Sequence, residues 1–473
     1  MEHAMRLVAI GALLVPFSAH AEIVLQGPSG PALQDDPLLR GLVKEAMEHR
    51  PEIGQVRAQI VAERERVPQS HVLPDPSLSL GIQNDGFAGI QIGKMESSWL
   101  YIVAAQTFPW PGKRGMRGEV VGLDAQNAES DLRRTLLSIA ADVERAYLDL
   151  LLVRDQLGLL GKLESLWHQS EVVALARYQA GEGAQSDVLR AQLERNRLKQ
   201  RRWALESEER RRVAVLNRLR GHALGDTVAT NRSLTDVPDP ILPDFEQAVA
   251  AAETESPELR KARLVGQQAD RRVDLAKQER WPDLTVSAGV MPRWGDFGTM
   301  WQAGVAFNVP VWSLGKQAHA IAENQARGQA ARGGAEALRQ VVALRVHERL
   351  EALRALVEIA RLYRSGLLVQ SEATVASTLV QYQVGRISFA SVMEALSGYL
   401  SDVNGFLDSI AAAQRLVIAQ REVSLEAPGA AGGGAMGGST IPGAGATASS
   451  ASSGRGTGQQ AGAENAGPSM SRM

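Results

Sequence analysis

Histidine is the first side chain to consider for chemistry, because it ligates metals and exchanges protons near neutral pH. Beyond residue 21 it occurs at His49, His71, His168, His222, His319 and His347. No two of these are three or four positions apart, the spacing that puts a pair on one helix face. No metal site within one chain and no cofactor are expected. Cysteine is absent, which removes thiolate zinc sites, iron–sulfur clusters, disulfides and cysteine nucleophiles. No Ser, His and Asp stand in a context for nucleophilic catalysis. Gly112-Lys113 invites comparison with a phosphate loop, but that pattern needs an upstream glycine and a Ser or Thr after the lysine, and here Arg114 follows. The segment reads as a Pro/Gly corner from a strand into a helix, with Lys113 starting the helix. The charge runs Arg195–Arg202 and Glu206–Arg212 read as solvated helix faces. The expectation is a protein that is not an enzyme. With 51 Lys+Arg against 53 Asp+Glu, the chain also lacks the net basic charge that phosphate neutralisation requires, so no nucleic-acid partner is expected.

The remaining signals concern architecture. Residues 1–21 read as a cleaved signal peptide: Arg6, an apolar run from Leu7 to Phe17, then Ala19-His20-Ala21. The run is too short to span a bilayer, which takes about 20 residues. From 427 to 473 the chain is a Gly/Ala/Ser-rich tail that reads as disordered, since it offers little apolar surface to offset ordering entropy.

Between these ends the sequence is duplicated. Arg50-Pro51-Glu52-Ile53 returns as Ser256-Pro257-Glu258-Leu259, Leu73-Pro74-Asp75 as Trp281-Pro282-Asp283, Phe108-Pro109 as Val309-Pro310, and Arg177-Tyr178-Gln179-Ala180-Gly181 as Gln381-Tyr382-Gln383-Val384-Gly385. The order is kept and the offsets run from 201 to 208. The expected organisation is a first repeat over 22–220, a linker over 221–244 and a second repeat over 245–426. Each repeat reads helix, two strands, very long helix, turn, helix.

In the first repeat a helix is expected over 37–71, capped by Asp35-Asp36. Two strands of about ten residues are expected in each repeat, from period-two alternation such as Leu284, Val286, Ala288 and Val290 against Thr285, Ser287 and Gly289. From Lys113 to Tyr178 there is no proline. Leu136, Ile139, Val143, Ala146, Leu150, Val153, Leu157 and Leu160 step by threes and fours, a sustained coiled-coil seam. The stretch Lys316 to Tyr382 carries Val346, Leu353, Ala360 and Leu367 at sevens. Each stretch predicts a rod of roughly 100 Å. The 37–71 helix and one over 184–220, stacked end to end, match that length.

Four strands cannot close a membrane barrel, for which eight is the usual minimum. An open sheet in lipid would leave edge groups unpaired at several kcal/mol each. If the strands enter a membrane, several chains must share one barrel. Three chains give twelve strands and a lumen, which Ser77, Ser79, Gln83, Gln302 and Asn308 would line. Gly181, Gly183 and Gly385 let the chain reverse at the ends of the rods.

Leader, duplication, paired strands and rods together resemble the TolC family of outer-membrane efflux proteins, over about 37–426. The segment Gln106-Thr107-Phe108-Pro109-Trp110-Pro111-Gly112-Lys113-Arg114 is similar to the strand-to-helix junction of the family's heavy-metal resistance branch. The resemblance implies a mainly α fold with a small β part. Long antiparallel coiled-coil helices and four membrane strands per chain would assemble as a homotrimer with a twelve-stranded barrel and a helical tunnel. It implies an exit duct in the cell outer membrane, in contact with outer-membrane lipid, whose tunnel lies in the periplasm. Its partners would be a periplasmic adaptor (membrane fusion) protein and an inner-membrane pump of the resistance-nodulation-division type. Heavy-metal cations are the expected cargo. A duct for drugs or for type I protein secretion, and a periplasmic coiled-coil adaptor without a barrel, are the alternatives.

The resemblance also implies site residues. Asp187 matches the family's acidic aperture position and Tyr382 its gating tyrosine. In the second turn Ser391 replaces one usual acid and leaves Glu394. Ile387 stands where the family has a gate arginine, with Arg386 beside it. Asp187, Tyr382, Arg386 and Glu394 are thus the expected aperture, and Gly181, Gly183 and Gly385 the adaptor-contacting turns. Without the resemblance, Asp187 and Glu394 read as exposed acids that a helix dipole favours.

Overall fold

The computed structural model describes residues 32–87 and 89–428. The expected signal peptide and all of the tail beyond residue 428 lie outside the described residues.

Each repeat begins with two helices where the sequence predicts one. In the first they are α1 (Pro37–His49) and α2 (Pro51–His71); in the second, α5 (Phe245–Glu255) and α6 (Pro257–Gln278). The break falls in both cases before a proline, at Arg50 and at Ser256, whose backbones are extended. Proline lacks the N–H that would continue the ladder and pushes its predecessor out of the helical region. The expected cap is present: Asp36 accepts from the Leu38 N–H at 2.9 Å.

The rods are present. α3 runs Lys113–Gln179, 67 residues, about 100 Å long. α2 and α4 (Gln185–Arg220) both pack along it, as the length argument requires. Ile139, Val143, Ala146, Leu150, Val153 and Leu160 of the seam are buried, whereas Leu136 and Leu157 are half-buried. The second rod is interrupted. α7 (Ala318–Leu362) passes through a π turn at Tyr363–Leu367 into α8 (Leu368–Gln383), and α9 (Phe389–Glu422) returns along it. Val346, Leu353 and Ala360 are buried, but the next buried residue is Leu368, not Leu367, and the seam continues at Val375 and Tyr382. A π turn holds one residue more than an α turn, so the seven-residue rhythm resumes one position late.

The strands β1 (Ser77–Gln83), β2 (Trp99–Phe108), β3 (Leu284–Met291) and β4 (Met300–Phe307) form one antiparallel sheet in that order. Three of the four are shorter than the expected ten residues, at 7, 8 and 8. Among the described residues β1 and β4 each have one neighbour, so the sheet is open. The register puts Leu78, Leu80, Ile82, Leu100, Ile102, Ala104, Val286, Ala288, Val290, Trp301, Ala303, Val305 and Phe307 on one face. Ser77, Ser79, Gln83, Thr107, Thr285, Ser287 and Gln302 lie on the other. The apolar face is bare in this chain: Leu80 is 65% exposed and Trp301 79%.

An ion pair with a buried lysine anchors the sheet to the rods. The Lys113 ammonium is 1% exposed, 2.9 Å from an Asp283 carboxylate oxygen and 2.8 Å from the Trp281 carbonyl. Asp283 also accepts from the Trp110 N–H at 2.9 Å, and the Trp110 and Trp281 rings stack at 5.1 Å. Burial pulls the Asp283 carboxyl upward, but the Lys113 ammonium, the Trp110 N–H and the nearby Arg117 outweigh it and leave it below its ordinary value. The first repeat's corner is thus closed by the second repeat's Trp-Pro-Asp.

Candidate functional site

Far along α3 from the sheet, the chain turns twice in the same way. In the first turn the Glu182 N–H bonds the Arg177 carbonyl at 2.9 Å, and in the second the Arg386 N–H bonds the Gln381 carbonyl at 2.9 Å. These six-to-one bonds close the helix ends and require a left-handed residue. Gly181 (φ 75°) and Gly385 (φ 76°) supply it. Gly183 is needed for a different reason: a Cβ there would lie 3.0 Å from the Arg177 Cβ and 3.1 Å from the Tyr178 nitrogen.

The two turns are joined by side chains. Tyr382, 2% exposed, donates its hydroxyl to an Asp187 carboxylate oxygen at 3.2 Å. Asp187 stands in the first turn of α4, where the helix dipole favours an acid. The Tyr382 ring packs on buried Phe389 at 5.3 Å, and Phe389 meets Trp167 edge-on at 6.5 Å. Burial, with the charge and hydrogen bond of Asp187 adding to it, pushes the Tyr382 hydroxyl up to about 12. It therefore stays a donor at any ordinary pH.

The arginine of the site is Arg177. Its guanidinium donates to the Tyr382 carbonyl at 2.6 Å and to the Glu182 carbonyl at 3.1 Å, and lies 4.9 Å from the centre of the Tyr382 ring. It also occupies the space beside Gly385, where a Cβ would lie 3.0 Å from its Nη2. Arg386, the arginine expected here, is exposed and makes no side-chain hydrogen bond or ion pair among the described residues. Glu394 is likewise exposed on the second turn of α9. The structure thus brings Asp187 and Tyr382 together with Arg177, and leaves Arg386 and Glu394 on the surface of the single chain. The repeat alignment carried a signal for Arg177: it stands where the second repeat has Gln381, the one strong change of charge in that landmark.

What this arrangement can do is mechanical and electrostatic. Two helix hairpins are latched by one hydroxyl–carboxylate bond and one guanidinium that spans both turns. Among the described residues no group of three or more His, Asp or Glu is placed to hold a metal ion. Among them, also, no helix is long and apolar enough to cross a membrane.

No known family's sequence model matches the chain, and no curated protein matches it. Solved structures do. The outer-membrane channel OprN matches with a TM-score of 0.66 at 17% identity, over 83% of this chain and 91% of that one. CusC, whose structures concern folding and transmembrane channel formation, matches at 0.67 and 14% identity, over 85% and 96%. The outer-membrane protein VceC of Vibrio cholerae matches at 0.66 and 16% identity, over 81% and 95%. The chain therefore has the fold of these proteins over nearly their whole length.

Proposed function

We propose that the chain is one of three identical subunits of an outer-membrane exit duct of the TolC type. The observation that carries this reading is the sheet. Among the described residues it is open at both edges, apolar on one face except at Gln106, and mounted on rods of about 100 Å that end in latched turns. A soluble coiled-coil adaptor has no use for such a face, whereas a shared barrel places it against lipid and pairs every edge. The fold likeness to outer-membrane channels supports the same reading.

In this duct twelve strands form the barrel and the rods continue it through the periplasm. The turns around Gly181, Gly183 and Gly385 meet a periplasmic adaptor, which links the duct to an inner-membrane pump of the resistance-nodulation-division type. Asp187 and Glu394, repeated three times, ring the narrow end and attract cations there. Heavy-metal cations are the cargo we favour, on the strength of the Phe108-Pro109-Trp110-Pro111-Gly112-Lys113 corner. They pass through as substrate and need no resident site.

Native mass measurement in detergent and single-channel recording in planar bilayers test the reading. Three chains and a conductance are expected. A monomer that keeps its helix and strand content by circular dichroism, and conducts nothing, would sink it. Paired Asp187→Ala and Glu394→Ala should weaken block by multivalent cations from the tunnel side; unchanged block removes the acidic ring.

A further inference from the structure

The duplication persists at the level of single strand pairs. In the first hairpin Ser77 lies opposite Ala105, and in the second Thr285 lies opposite Ala306. Offsets of 208 for β1 and 201 for β2 convert one register into the other. These are the offsets at which Pro74-Asp75 recurs as Pro282-Asp283 and Phe108-Pro109 as Val309-Pro310. The junction between the hairpins, β2 with β3, is therefore a template for a junction the single chain lacks: β4 with β1.

The template is specific. Thr107 lies opposite Thr285, with their hydroxyls 3.0 Å apart, and Gln106 lies opposite Val286. Beyond the strand ends, Lys113 is buried on Asp283 and Trp110 stacks on Trp281. The counterparts in the second repeat are recognisable. Lys316 follows a glycine as Lys113 does. The second corner is two residues longer, with offsets of 202 for the tryptophan and 203 for the lysine, and it forms a π turn over Ser313–Gln317. There the Lys316 N–H bonds the Trp312 carbonyl four residues back at 2.9 Å, whereas the Lys113 N–H bonds the Trp110 carbonyl three back at 3.2 Å. Asp75 is the counterpart of Asp283, and Leu73 of Trp281. None of these positions is satisfied within the chain. Lys316 and Asp75 are exposed and make no ion pair among the described residues, and Trp312 is 78% exposed. They cannot meet in one chain, since β1 and β4 are opposite edges of the sheet, about 14 Å apart at strand spacing.

We propose that β4 of one copy pairs antiparallel with β1 of the next in the register this internal template dictates, and that Lys316 is held by Asp75 of the partner subunit. Asn308 then lies opposite Ser77, Phe307 opposite Leu78, Ala306 opposite Ser79 and Val305 opposite Leu80. The pairing extends both faces of the sheet without a mismatch. Phe307 and Val305 join Leu78 and Leu80 on the apolar side, and Asn308 and Ala306 join Ser77 and Ser79 on the other. A slip of one residue would reverse this. Trp312 covers Leu73 as Trp110 covers Trp281. The proposal rests on the reading of the chain as a barrel subunit and adds the register of the seam and its ion pair.

The absence of cysteine makes the seam directly testable. The full chain carrying Ser77→Cys and Asn308→Cys is extracted in detergent, oxidised and run without reductant, with native mass measured in parallel. A reducible ladder ending at three chains is expected. The diagonal pair Ser79→Cys with Asn308→Cys should give about tenfold less product, since diagonal positions lie at about 7–8 Å, beyond disulfide reach. A three-chain mass with the ladder only from the diagonal pair overturns the register while leaving the barrel reading intact. A one-chain mass overturns both. Lys316→Asp should lower the temperature at which the assembled form dissociates, and adding Asp75→Lys should restore it. A double variant no more stable than either single one removes the ion pair.

Discussion

The two strand-to-helix corners of this chain descend from one sequence pattern and end in opposite states. At the first, Lys113 is buried between Asp283 and the Trp281 carbonyl, and Trp110 is stacked. At the second, Lys316 and Trp312 stand in solvent. The same asymmetry recurs at the turns, where Arg177 reaches across to the second repeat and its counterpart Gln381 does not reach back. The first repeat therefore closes the chain on itself, while the second keeps open what another copy can fill. In the proposed assembly the internal junction serves folding and the equivalent outer junction joins the copies.

The sharpest break in this comparison is expected from Lys113→Met, which leaves the half-buried Asp283 carboxylate and the Trp281 carbonyl without their charged donor. It should cost about 1.5–3 kcal/mol of chain stability. Lys316→Met should leave the stability of the isolated chain unchanged and lower only the dissociation temperature of the assembled form. Thermal unfolding by circular dichroism, beside heat-resistance of the oligomer on gels, separates the two. Equal effects of both substitutions would erase the distinction between folding and assembly corners.

In the first repeat's uninterrupted rod, Leu150 is 0% exposed, and Leu150→Ala should cost about 2–5 kcal/mol in thermal unfolding. Leu157→Ala, at a half-buried position one heptad along, should cost clearly less. A reversed order would mean the seam is drawn on the wrong face.

The linker between the repeats supplies a pH test. Asp155 on α3 accepts from the Leu234 N–H at 2.7 Å and the Ser233 hydroxyl at 3.0 Å. Burial nevertheless pushes its carboxyl up to about 6, against the pull of those two donors. The folded chain thus holds this proton more tightly than the unfolded chain, whose aspartates titrate near 3.9. The contribution of Asp155 to stability is therefore largest below about pH 4. It falls as the pH rises through 6, by at most about 3 kcal/mol. Asp155→Asn should flatten that part of the stability–pH curve, and an unchanged slope would assign it to other groups.

At the turns, Arg177→Gln makes the first repeat resemble the second. Losing the charged donor to the Tyr382 and Glu182 carbonyls should cost about 1.5–3 kcal/mol locally, seen as faster amide exchange in both turns. The smallest stability effect belongs to Tyr382→Phe, about 0.5–1.5 kcal/mol, because one hydrogen bond is lost and the ring packing on Phe389 stays. Its conductance effect should exceed its stability effect. In planar bilayers Tyr382→Phe and Asp187→Ala should each raise single-channel conductance. Unchanged values would leave the latch a fold contact with no part in gating.

The sequence by itself determined the duplication, the rods, the four strands and the open sheet, because these rest on local periodicity and on proline and glycine punctuation. Asp187 and Tyr382 were singled out only by the resemblance to the TolC family, since by position alone Asp187 reads as an acid that a helix dipole favours. Tertiary structure decided the rest. The π turn at Tyr363–Leu367 moved the second seam from Leu367 to Leu368, and a heptad count cannot register a one-residue change in helical pitch. Within one chain it is Arg177, not Arg386, that spans the two turns, because reach across two hairpins depends on which helix faces which. Lys113 became a buried ion rather than an ordinary first helical residue, because its partners lie 168 and 170 positions away. Periodicity is a property of neighbours in sequence, and the charges that close this chain, or leave it open, find their partners only once the two repeats are packed together.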